Sequence, residues 1–135
     1  MKKQGLFCML AFLVSQAFAQ QAVVTGPDSR LKLDFVLQDG KPMYSVTYDG
    51  NTVLENSPLG FVSNVGDFSC NMTFVGQQSD KIEKVYTQDR IKCSQVNYTA
   101  NKLTVTLKNA EQKTMDIVFQ LSNNDIAFRY EMPQY

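Results

Sequence analysis

Period-two alternation of apolar and polar residues is the feature that most limits what this chain can fold into. In "RLKLDFVLQ", Leu31, Leu33, Phe35 and Leu37 fall on one side, with Lys32, Asp34 and Gln38 on the other. The same two-residue rhythm runs through Tyr44, Val46 and Tyr48, through Leu103, Val105 and Leu107, and through Met115, Ile117, Phe119 and Leu121. It returns in Ile126, Phe128 and Tyr130. A backbone that turns successive side chains to opposite faces is a β-strand with one face buried. These apolar sets are therefore assigned to the core.

The punctuation agrees. "DGKP" (Asp39 to Pro42) and "DGN" (Asp49 to Asn51) are turn signals between strands, because Gly tolerates positive φ and Asp favours turns. "MTFVG", "KIEKVYT" and "IKCSQVNYT" are further predicted strands, with "QQSD" as a polar connection. Short strands separated by regular turns, with no helical periodicity after residue 19, imply an all-β antiparallel sandwich. "SPLGFVSNVGDF" (residues 57–68) interrupts the pattern and is predicted to be a kinked connection. The last strand runs almost to Tyr135, so it is expected to be a sheet edge or to continue into further sequence.

Residues 1–19 read as a signal peptide: Lys2 and Lys3, then the uncharged run Leu6–Val14, then the small residues of "AFA". The run is too short for a spanning helix. The expectation is an exported protein, periplasmic or secreted, with residues 20–135 forming one domain and no membrane attachment after cleavage. Basic and acidic residues balance at 13 each and the basic ones are scattered, which argues against nucleic acid as a partner.

Histidine is absent, which removes Ser-His-Asp and Cys-His catalysis and His-ligated zinc. No calcium loop or phosphate-binding glycine loop is present. Carboxylate pairs can be drawn, Asp67 with Glu55 or Asp125 with Glu131, but sequence spacing shows no paired site and solvated loop carboxylates are the favoured reading. The tyrosines could stack on sugars, yet Tyr44, Tyr48 and Tyr130 fall on core registers. Beyond the leader remain Cys70 and Cys93. A disulfide between them, worth about 3 kcal/mol, and two buried thiols are both open readings.

The order "LKLDFVLQDGKPMYSVTYDGNTVLENSPLGF", "NVGDF", "DIAFRYEMP" resembles the N-terminal domain of glycoside hydrolase family 97. The resemblance runs from about Ser29 to Pro133 and is most specific in "SPLGF" and "NDIAFRYEMP". It implies a galactose-mutarotase-like β-supersandwich that packs beside a catalytic (β/α)8 barrel in bacterial α-glucosidases and α-galactosidases. On that resemblance the chain stops partway through the N-terminal module and the sandwich is incomplete. Catalytic carboxylates and the calcium-binding glutamates are implied to lie beyond Tyr135. No catalytic, cofactor-binding or metal residue is therefore assigned here. Pro58, Gly60, Asp67 and Arg129, which sit in the matching motifs, are given structural or interdomain roles. The implied partner is the enzyme's own barrel, with oligosaccharide contact weak at most. A free-standing carbohydrate-binding sandwich is the alternative.

Overall fold

The computed structural model describes residues 20–87 and 95–135, and every described element is a β-strand or a connection between strands. The expected signal peptide lies outside the described residues, as does Cys93 and with it the Cys70–Cys93 pairing. The ten strands are β1 (Gln20–Thr25), β2 (Leu31–Gln38), β3 (Lys41–Tyr48), β4 (Asn51–Pro58), β5 (Val62–Ser63), β6 (Gly66–Asp67), β7 (Thr73–Thr87), β8 (Gln95–Lys108), β9 (Thr114–Leu121) and β10 (Ile126–Glu131).

Two four-stranded antiparallel meanders make the sandwich, in the orders β1-β2-β3-β4 and β10-β9-β8-β7, and β5 pairs with β6 as a small third sheet. The β2–β3 and β3–β4 connections each contain only Asp-Gly, with positive φ at Asp39, Gly40, Asp49 and Gly50. Positive φ at both central residues matches the right-handed twist of the flanking strands. Lys41 and Pro42, expected in the first turn, instead begin β3.

The two inner faces meet at the predicted positions. Leu33, Phe35, Leu103, Val105, Leu107, Met115, Ile117, Phe119 and Leu121 are fully buried. Phe35 and Phe119 touch across the sandwich with ring centroids 6.2 Å apart, and Tyr44 lies 6.2 Å from Phe119 on the other side. Each such side chain gains about 1.5–3 kcal/mol by leaving water.

Two expectations fail, each because the strand concerned lies at an edge. "QQSD" is no connection: β7 runs for 15 residues and pairs with β8 along its length, with one register shift between Phe74 and Gly76. An edge strand with no fully buried side chain needs no apolar rhythm to be held by its ladder. β4 shows no alternation of burial either, because two register shifts against β3 disturb its facing. Phe128, assigned to the core, stays 42% exposed. Its ring points inward, 6.2 Å from Phe119 and 5.7 Å from Tyr44, but lies at the margin of the sandwich. The strand β1 was not anticipated at all: it adds Ala22 and Val24 to the core and pairs with β2.

β9 accompanies β8 only from Asn101 to Lys108. Beyond that point β7 and β8 continue as a two-stranded ribbon, Ile82 to Thr87 against Gln95 to Ala100. At about 3.4 Å per residue the ribbon reaches roughly 20 Å past the sheet.

The packing makes a graded prediction. Phe119→Ala should cost about 3–5 kcal/mol and Val105→Ala about 2, whereas Phe128→Ala should cost less than Phe119→Ala by at least half. Urea denaturation of the three variants reads this directly; equal costs for Phe119 and Phe128 would contradict the edge placement.

Candidate functional site

The motif that broke the alternation, residues 57–68, folds into the most densely tied part of the surface. Pro58 closes β4, and the Leu59 N–H then donates to the Pro42 carbonyl at 2.9 Å while its side chain is buried. Gly60 follows with φ of 104°. A Cβ here would sit 2.2 Å from the Phe68 carbonyl oxygen, so only glycine fits both the space and the dihedral. The Gly60 N–H donates to the Tyr130 hydroxyl at 2.9 Å, which fastens the motif to β10.

Phe61 lies between Phe68 and Tyr130, at 5.4 and 5.2 Å between ring centroids. Phe68 is fully buried, and its N–H donates to the Phe61 carbonyl. The intervening β5–β6 hairpin is gripped from the β8–β9 connection. Asn109, only 2% exposed, donates from Nδ2 to the Asp67 carbonyl at 3.3 Å. Its Oδ1 accepts from the Glu111 and Lys113 amides at 3.0 and 2.9 Å, and Lys113 Nζ donates to the Val65 carbonyl. The outer side of the hairpin stays open to solvent, with Val62 on β5 70% exposed.

Asp67 is engaged by its own loop. One carboxylate oxygen accepts from the Ser69 hydroxyl at 2.6 Å and the Ser69 amide at 2.8 Å; the other accepts weakly from the Cys70 thiol at 3.5 Å. These hydrogen bonds, the Ser69 hydroxyl first and its amide second, hold the Asp67 carboxyl below its ordinary value of 3.8. A carboxylate committed to three local donors is built to close a turn, not to take up a proton at neutral pH.

The remaining candidate carboxylates do not form pairs. Asp125 accepts within its own turn from Ser122, whereas Glu131 accepts from Arg129 Nε at 2.6 Å. They stand at opposite ends of β10, about 20 Å apart along the strand. Arg129 is directed outward, on the opposite side of β10 from Tyr130, and its only ion pair is the one with Glu131 among the described residues. Arg30 and Asp49 make a second, exposed ion pair at 2.6 Å, with the guanidinium stacked 4.9 Å from the Tyr48 ring. Hydrogen bonding to Arg30 draws the Asp49 carboxyl downward as well. Among the described residues no three Cys, Asp or Glu side chains converge on a point where a metal could bind.

Two concavities flank this frame. A hollow of about 330 Å³ between β1 and the β7–β8 ribbon is lined by Val24, Ser79, Asp80, Lys81 and Asn101 among others, with no aromatic face for a sugar. An apolar groove of about 290 Å³ runs between β4 and β10, over Tyr44, Val46, Val53, Leu54, Ile126 and Phe128. Asn109, Ser69 and the Tyr130 hydroxyl fasten this frame, and sequence reasoning assigns none of them that part. "NAEQ" shows a loop asparagine, and nothing in its spacing announces that it is buried.

The comparisons decide the family. The model described as "Glycosyl-hydrolase 97 N-terminal" matches residues 24–135. The chain belongs to that family. A crystal structure of a beta-arabinopyranosidase is similar at 48% identity and a TM-score of 0.80, over 86% of this chain and 19% of its own. A glycoside hydrolase family 97 enzyme from Pseudoalteromonas sp. strain K8, in complex with panose, matches at 26% identity and a TM-score of 0.77, over 84% of this chain and 18% of its own. A probable retaining alpha-galactosidase of Streptomyces bingchenggensis (strain BCW-1) is 26% identical over 96% of this chain. The chain spans about a fifth of the length of these relatives. The glycosyl-hydrolase 97 sandwich is thus the frame in which the motif hairpin, the Gly60–Tyr130 link and the Asn109 clamp sit.

Two outcomes follow for this frame. Asn109→Ala should destabilise by about 1–3 kcal/mol, since the Glu111 and Lys113 amides and the Asp67 carbonyl lose their partner together; urea titration measures it. Asp49 and Asp67 are both depressed in the folded state, so the stability they contribute is complete above their ordinary value of 3.8 and disappears as pH falls through their lower folded values. Acid titration of the melting temperature should therefore show Asp67→Asn less stable than the native chain at pH 7, the gap closing only once the pH falls below the ordinary carboxyl value of 3.8. A constant gap across the titration would contradict the assignment.

Proposed function

We propose that this chain is the non-catalytic N-terminal sandwich of an exported glycoside hydrolase, and that it braces a separate catalytic barrel. The observation that carries the reading is the family match over residues 24–135 of a chain only about a fifth as long as its relatives. The anchoring of the motif hairpin supports it. A hairpin pinned by Gly60, Phe68, Asn109 and Lys113, yet presenting Val62 to solvent, is suited to meeting another domain with little ordering cost. Pro58, Gly60 and Asp67 shape that hairpin, and Arg129 lies beside the Tyr130 that fastens it.

On this reading hydrolysis and calcium belong to the rest of the enzyme, whose substrates are α-glucosides, α-galactosides or arabinopyranosides. Contact with oligosaccharide is marginal: Tyr86 and Tyr135 are the well-exposed tyrosine rings among the described residues, and they lie on different elements. Protein purified after expression of the full 135-residue sequence should release no nitrophenol above blank from nitrophenyl α-glucoside, α-galactoside or arabinopyranoside. Turnover abolished by substituting one of its own carboxylates would overturn the non-catalytic role. Calorimetry with maltooligosaccharides should likewise give no saturable isotherm; a tight one would favour a free-standing carbohydrate-binding module.

A further inference from the structure

We propose that the Asp49–Gly50 bond is a site of spontaneous backbone modification, isomerisation to isoaspartate, and that Arg30 is the residue that holds it in check. An aspartate followed by glycine can close on itself. The Gly50 amide nitrogen attacks Asp49 Cγ, a C–N bond forms, and the carboxyl OH leaves with the amide proton as water. The five-membered succinimide then takes up water again. Opening on the Cα-carbonyl side routes the backbone through Cβ and Cγ, which adds one carbon to the turn with no net change of mass or oxidation state. Glycine eases the closure, because it puts no side chain in the way and lets the turn leave its resting dihedrals.

The chain holds the same dipeptide twice, in the same conformation: φ is 51° and 73° at Asp39 and Gly40, and 49° and 78° at Asp49 and Gly50. The two turns are restrained differently. Asp39–Gly40 is packed. The point a Gly40 Cβ would occupy lies 3.0 Å from the Asn71 Cα, and the Gly40 carbonyl accepts from the Met72 N–H at 2.9 Å. Asp49–Gly50 has no such wall, since among the described residues nothing stands within 4 Å of the corresponding point on Gly50. What holds this turn is Arg30.

Leu31 pairs with Tyr48, so Arg30 stands opposite Asp49 at the end of the β2–β3 ladder. The Arg30 carbonyl accepts from the Asp49 N–H at 2.9 Å. Arg30 Nε and Nη2 donate to the two Asp49 carboxylate oxygens at 2.8 and 2.6 Å, and the Tyr48 ring supports the guanidinium 4.9 Å from its centroid. This two-pronged grip turns the carboxylate across the ladder, away from the next amide along the chain. Both oxygens must be released before Cγ can reach the Gly50 nitrogen. Hydrogen bonding to Arg30 also draws the Asp49 carboxyl downward, which depletes the acid form from which water leaves. An exposed ion pair adds little to folding stability, so its larger effect here is chemical.

Ageing the protein expressed from the full 135-residue sequence, native and Arg30→Ala, for weeks at physiological temperature and pH tests the assignment. Mass spectrometry with electron-transfer fragmentation places isoaspartate at a named residue, so both turns are read in one sample. The native chain should accumulate isoaspartate slowly at either turn. Arg30→Ala should raise the rate at Asp49 about threefold or more and leave the rate at Asp39 unchanged. The Arg30 side chain is half exposed, so the sandwich should tolerate the change, and circular dichroism checks that it does. An Asp49 rate unaltered by Arg30→Ala would overturn the proposal. So would a rise at Asp39 as large as that at Asp49, which reports a general loosening of the meander and not the loss of a grip on one turn.

Discussion

Everything in this structure depends on the contact between the inner faces of the two meanders, centred on Phe35 and Phe119. A four-stranded antiparallel sheet cannot keep its apolar face in water, and among the described residues each meander's inner face is covered by the other. Closing the sandwich buries residues from β1, β2, β3, β8 and β9 in one cluster, with Tyr44 and Tyr130 packed at its border. The border is where the distinctive features collect. Tyr130 can hold the Gly60 amide only because its ring is fixed against Phe61 and Phe128.

That border also explains how an irregular loop becomes a precise object. The hairpin of residues 57–68 has only two-residue strands, far too short to persist alone. It is held by Phe68 in the core, by a glycine that lets two backbones touch, and by a buried asparagine reaching from a distant connection. Asp67 belongs to this fastening. Its carboxylate accepts from Ser69 and its carbonyl from Asn109, so one residue ties its own loop to the β8–β9 connection.

The alternation in β2, β8 and β9 was legible because those strands have one face in the core and one away from it, and the pattern is the direct imprint of that asymmetry. It failed at the edges for the same reason. β7 has no such asymmetry to imprint, so "QQSD" read as a break in what is one strand. Phe128 shows a subtler limit: alternation tells which face a side chain points from, not whether the facing sheet extends far enough to cover it. Asn109 was illegible because a turn asparagine and a buried clamp have the same local sequence. The motif "SPLGF" could be matched to a family before any of its contacts were known, but the reason for its glycine appears only when the Phe68 backbone lies against it.

The central claim is that the motif hairpin is an integral part of the sandwich frame and not a mobile loop awaiting substrate. Amide hydrogen exchange tests it most directly, since protection reports the free energy of opening at each residue. The Gly60 and Phe68 amides should exchange as slowly as those in the centre of β8 and β9, while Asn64 at the hairpin tip exchanges quickly. Rapid exchange across residues 57–68, with the β8 and β9 amides still protected, would contradict the account.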